Sequence, residues 1–137
     1  MSVKGPYTMF RTDPRAEAVD GVTIDYGAFR IRVVRAGGAN AKFRRIMAER
    51  LRPYRKQLEM GTMDEAVAEQ ILREAYADAV IVGWEGVTDE NGNDLPFTRD
   101  NVLKVLEDLP DLFRDIQEQA NLLSNFKAEA LEDEAKN

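Results

Sequence analysis

Asp89-Glu90-Asn91-Gly92-Asn93-Asp94 is a stretch whose residue types and spacing approach a metal-binding loop. Asp89, Asn91 and Asn93 can be set at the first, third and fifth ligand positions of a calcium loop. Asp94 then stands where glycine must turn the chain. The same register puts Asp100, too short for bidentate reach, where glutamate is usual, and Pro96 stiffens the middle. Two defining positions fail, so the loop reads as a solvated turn. Gly37-Gly38 followed by Lys42 invites a phosphate-binding reading, because helix amides hold anions. The Lys-Ser/Thr spacing of a P-loop is absent, as is the dinucleotide fingerprint, and the pair reads as the end of a strand. The carboxylates Asp64/Glu65 and Glu107/Asp108/Asp111 fall at helix ends, where capping accounts for them. His and Cys are both absent. That removes the commonest general base, the thiolate nucleophile and the usual transition-metal ligands. The expectation is a protein that is not an enzyme and needs no metal or cofactor.

The elements that must position these side chains follow from periodicity. Val22 to Tyr26 and Ala28 to Arg35 read as two strands of a β-hairpin over 22–35, with Phe29, Ile31 and Val33 alternating against Arg30 and Arg32. Asn40 caps a helix near 40–59 whose stripe is Phe43, Ile46, Met47, Leu51, Tyr54 and Leu58. Pro53 should kink that helix, and Gly61 should stop it. Thr62 and Glu65 form a capping box opening a helix over 62–82, and Gly83 ends it. Residues 84–97 read as a short loop or hairpin, with Trp84 as a core anchor. Thr98 caps a helix over 98–108, and Asp108 with Pro110 opens a last one over 109–131. The fold class is mainly α (α+β): a small N-terminal β-hairpin followed by about four helices. The expected organisation is a flexible arm over 1–20, one mostly helical domain over 21–131 and an acidic tail over 132–137.

The chain has 137 residues and a net charge of −6, and its distribution of charge says more than the sum. Residues 1–60 hold 13 Lys/Arg against 6 Asp/Glu, whereas residues 61–137 hold 6 against 19. Residues 30–56 carry ten basic side chains with Glu49 as the lone acid. One reading is a surface for nucleic acid or an acidic partner. The other is a basic hairpin and helix facing the chain's own acidic half, within one protomer or between protomers. An acidic chain disfavours nonspecific duplex binding. The longest strongly apolar run, Ala79 to Val82, is far short of a membrane span, and the N-terminus has no secretory core, which predicts a cytosolic protein.

Several strings, taken in order, resemble the tail assembly chaperones of long-tailed, siphovirus-type bacteriophages. They are Val22 to Phe29 with the Arg35 to Gly38 joint, then Phe43, then Gly83 to Asp89 with Gly92, and Leu95-Pro96-Phe97-Thr98. The close from Phe126 to Asn137 fits as well, so the resemblance spans roughly 20–137. It implies a non-enzymatic role in the host cytoplasm, outside the mature virion: binding and solubilising the tape measure protein. It also implies recruitment of the major tail protein, chiefly through a frameshift-extended product. Ala135-Lys136-Asn137 is compatible with a slippery heptamer, which would make this chain the short form. The partner-binding expectation rests on broad apolar helix faces and settles on Leu112, Phe113, Ile116, Leu123 and Phe126, with homo-oligomerisation through helices. At least half of those faces must pack on one another to give the domain a core. The competing classes are a nucleic-acid-binding or regulatory module using residues 30–56, and a structural tail or connector subunit.

Overall fold

Val22–Asp25 (β1) and Arg30–Val33 (β2) pair antiparallel in a hairpin, Ile24 opposite Ile31, in a computed structural model that describes residues 5–128. The alternation read from the sequence holds on β2, where Ile31 and Val33 are buried while Arg30 and Arg32 face solvent. A third strand, Ile81–Glu85 (β3), pairs antiparallel with β2 and completes a sheet in the order β1-β2-β3. This corrects the expected helix over 62–82. Glu65–Ala79 (α4) ends early, and the apolar run that follows is drawn into the open edge of β2. The register slips between Arg32 and Val33, and Arg32 lies opposite Gly83. Trp84 therefore lies half-buried on a strand rather than beneath a helix end, its indole N–H donating to the Leu95 carbonyl at 2.9 Å. Phe97 meets its ring edge-on at 5.4 Å, which fastens the 86–97 loop to the sheet.

The helices wrap one face of this sheet. Ala41–Leu51 (α2) continues through a 3-10 turn at Arg52–Tyr54, where Pro53 interrupts the amide ladder, into Arg55–Met60 (α3). Gly61, at φ +68, closes α3 in the left-handed conformation that glycine adopts at little cost. The cap of α4 is Asp64, whose carboxylate accepts from the Ala66 amide at 2.9 Å; the Thr62/Glu65 box expected there does not supply it. Arg99–Asp108 (α5) starts on Thr98, and Pro110 opens Pro110–Asn121 (α6), whose cap position is Leu109 rather than Asp108. The single helix expected over 109–131 breaks at Leu122, in extended conformation, before Leu123–Phe126 (α7). Residues beyond 128, including the expected acidic tail and Ala135-Lys136-Asn137, lie outside the described residues.

Ile31, Val33, Tyr76, Val80, Ile81, Val102, Leu106, Phe113, Ile116 and Ala120 form the core. A run of edge-to-face rings crosses it, Phe43 to Tyr76 at 5.6 Å and Tyr76 to Phe113 at 5.2 Å, tying α2, α4 and α6 together. Tyr26, at the end of β1, donates its phenol to Asp115 on α6 at 2.6 Å.

Across its described part, the stretch expected as an arm over 1–20 carries secondary structure and contacts to the rest of the chain. A short helix, Pro6–Phe10 (α1), is exposed along Tyr7, Met9 and Phe10. The following residues 11–20 are docked. Thr12 bridges Lys127, the Asp13 amide donates to the Phe126 carbonyl at 2.9 Å, and the Ala128 amide donates to Arg11. A π-helical turn, Ala16–Asp20, buries Ala16 and Glu17. The Glu17 carboxylate accepts from Arg35 at 2.7 Å and from the Thr12 hydroxyl at 2.9 Å. Arg35 also lies over the ring of Phe126, 5.8 Å from its centroid.

Candidate interaction surfaces

Phe113, Ile116 and Phe126 are 6%, 0% and 0% exposed, so three of the five side chains expected to hold a partner are core residues in this fold. Leu112 is half-buried against the core and Leu123 is half-buried on α7. The physical reason is simple: the stripe on α6 and α7 is the one the sheet and α4 need to close the core. A groove of about 520 Å³ does remain between α4 and the α5–α6 joint. Leu72, Leu106 and Phe113 line it together with Glu69, Arg73 and Arg114, so its walls are as much charged as apolar.

The surface that the core leaves over lies elsewhere. From Ala41 to Met60, through α2, the 3-10 turn and α3, no residue is buried. The N-terminal end of this run is held firmly. Asn40, 4% exposed, caps α2 through the Phe43 amide and donates its side-chain amide to the Arg35 and Ala79 carbonyls, each at 2.8 Å. Arg50 reaches from α2 to Glu74 and Asp78 on α4, and Arg99 of α5 shares Asp78 at 2.7 Å. Beyond Leu51 the anchoring thins out. Leu58 and Met60 stand 47% and 69% exposed at the end of α3, beside the exposed cations Arg52, Arg55 and Lys56.

Half of the basic segment is thus absorbed within the chain. Arg30 pairs with Asp25, Arg32 donates to the Asp20 carbonyl, Arg35 takes Glu17, Arg44 donates to the Gly38 carbonyl, and Arg50 takes Glu74 and Asp78. Among the described residues only the Arg50 pairs reach the acidic second half. Arg45, Arg52, Arg55 and Lys56 stay on the exposed side of α2–α3. Sequence periodicity placed Leu58 on the α2 stripe, but the Pro53 interruption left no local signal that the stripe ends in solvent.

The turn at 89–94 is as solvated as expected, with its carboxylate committed. Asp89 accepts from the Asn91 and Asn93 amides, both at 2.9 Å, and these backbone donors hold its acid below the usual carboxylate range. Among the described residues no group of three or more acids, His or Cys is arranged to hold a metal, and no helix is long and apolar enough to cross a membrane. The turn walls a cleft of about 340 Å³ against the end of α5, with Leu95, Val105 and Leu109 as its apolar lining and Asp89, Glu90 and Asp108 among its charged residues.

Comparison with known proteins returns one family: the model described as YdaY prophage protein matches residues 38–137, from Gly38 beside the α2 cap onward. No curated protein and no solved structure matches the chain.

Proposed function

This chain belongs to the YdaY prophage protein family, and on that premise we propose that it is a non-enzymatic tail assembly chaperone that binds and solubilises the tape measure protein. Its other partner in this reading is the major tail protein, and it works in the host cytoplasm without entering the virion. The observation that carries the reading is the helical run from Ala41 to Met60, which meets the core through half-buried side chains such as Phe43 and ends in the exposed Leu58 and Met60. A helix layer anchored at one end by Asn40 and Arg50, and open along Leu58 and Met60 at the other, offers an amphipathic client helix an apolar strip with basic edges. The ordered strings that resemble tail assembly chaperones support the same reading, as does a phage origin.

Co-expression with the tape measure protein of the same phage tests it. The soluble fraction of the tape measure protein should rise, and Leu58→Asp with Met60→Asp should cancel the rise while leaving the circular dichroism spectrum intact. A client that is equally insoluble with and without this chain would refute the reading. Detection of the chain by mass spectrometry in purified particles would favour a structural subunit instead. Binding of duplex DNA with a steep salt slope would favour a nucleic-acid module.

A further inference from the structure

The acidic cleft beside the 89–94 turn and the basic end of α3 are complementary, and they lie in different parts of the same chain. The cleft residues all fall between 88 and 109, and its volume of about 340 Å³ suits a pair of aliphatic side chains. Leu109, half exposed, opens its apolar lining to solvent. Of its charged residues, Asp89, held by the turn amides, and the exposed Glu90 are acids, and Asp108 pairs at 3.7 Å with Lys104, which also lines the cleft, so three acids stand against one cation. The end of α3 presents the opposite pattern: two exposed aliphatic side chains, Leu58 and Met60, on a short run in which the exposed cations Arg52, Arg55 and Lys56 outnumber the one acid, Glu59. Neither Leu58 nor Met60 lines the cleft of its own chain.

We propose that the Leu58/Met60 end of α3 in one copy docks into the Leu95–Val105–Leu109 cleft of a second copy, with Arg55 and Lys56 facing Glu90 and Asp108. Burial of the aliphatic pair supplies the driving force, and the charges set which end meets which. Each copy has one knob and one cleft, so the contact is head-to-tail and grows into strings or rings instead of stopping at a symmetric pair. In the chaperone reading the same contact covers the client-binding end of α3 while no client is present. The contact itself is measured on this protein alone and stands or falls apart from that reading.

Nucleic acid is the less suitable occupant of the α3 end. Leu58 and Met60 offer no face for base stacking, and the chain as a whole carries −6.

The test is sedimentation velocity on the full chain over a dilution series, with two single variants and their mixture. Wild type should gain mass with concentration, and high salt, which screens the charged rim, should moderate the gain without abolishing it. Met60→Asp removes the knob and Leu109→Asp removes the cleft, and both positions are exposed enough for the fold to survive. Each variant alone should be monomeric. Their equimolar mixture should form a one-to-one dimer and nothing larger, since only one competent knob and one competent cleft remain. A monomeric wild type, self-association that survives either variant, or a mixture that stays monomeric would each overturn the proposal.

Discussion

Glu17 is a buried carboxylate whose two partners come from different segments, Thr12 nearby and Arg35 across the fold, 18 residues on. Glu17→Ala leaves Arg35, about one-fifth exposed, without its counter-charge. The loss should be about 2 kcal/mol, read from urea unfolding, since water partly re-solvates the guanidinium. Gly38 sits at φ +54 with the Glu17 carboxylate where a Cβ would go, so Gly38→Ala is strained twice. The two substitutions should be less than additive, because removing Glu17 also removes the collision; full additivity would show that the strain is backbone alone. Tyr26 carries part of the alkaline pH dependence, beside the core phenol of Tyr76, which burial also raises. Burial, then the hydrogen bond to Asp115 and its charge, push the phenol above its ordinary value of 10.0. A folded value raised in this way means that its contribution is complete below about pH 10 and is lost as the pH climbs past it. Unfolding followed between pH 8 and 11 should therefore show an alkaline loss that Tyr26→Phe reduces.

α6 and α7 show how an element's role follows from what it meets. Their apolar stripe has the width of a binding face, yet Ile116 and Phe126 are fully enclosed. Ile116→Ala should cost about 3 kcal/mol and Phe126→Ala about 4 kcal/mol, values typical of enclosed core positions, in denaturant unfolding. Near-zero costs at both would place the stripe at a surface after all. Charge substitutions there would unfold the protein and say nothing about a client. α2 and α3 behave in the opposite way: they are held near one end by polar contacts and by Phe43 against Tyr76, and their far end is exposed at Leu58 and Met60. Arg50→Ala should cost only about 1 kcal/mol, because the pairs with Glu74 and Asp78 are partly solvated.

At the scale of the whole molecule, the described ends of the chain are stitched to each other. The Thr12–Lys127 bridge and the hydrogen bond from the Asp13 amide to the Phe126 carbonyl join residues 11–20 to α7 and the residue after it. Deleting residues 1–10 should change the midpoint of thermal unfolding less than deleting residues 1–20, since α1 is exposed along Tyr7, Met9 and Phe10. Deleting residues 1–20 removes Ala16 and Glu17 from the interior and should lower it by several degrees, as a loss of one to two kcal/mol does in a domain of this size. Equal behaviour of the two truncations would contradict the docked segment. The charge split acts at this scale too. Part of the basic stretch is neutralised inside the fold, and what stays outside on α3 is what a second copy or a client meets.

The sequence by itself determined the features whose causes lie within a turn or two of chain. The Asn40 and Thr98 caps, the left-handed Gly61, Pro110 in a first turn and the alternation along β2 all depend on neighbours a few residues away. Periodicity also fixed which stripe of each helix is apolar. Tertiary structure alone decided whether Ile81–Glu85 continued a helix or became a strand, because a short apolar run suits both and the free edge of β2 settled it. It decided as well that Phe113, Ile116 and Phe126 face inward while Leu58 and Met60 face out. A stripe tells that a helix wants a partner; which stripes find one inside the molecule depends on how many faces one core can close over, and that is a property of the assembled fold.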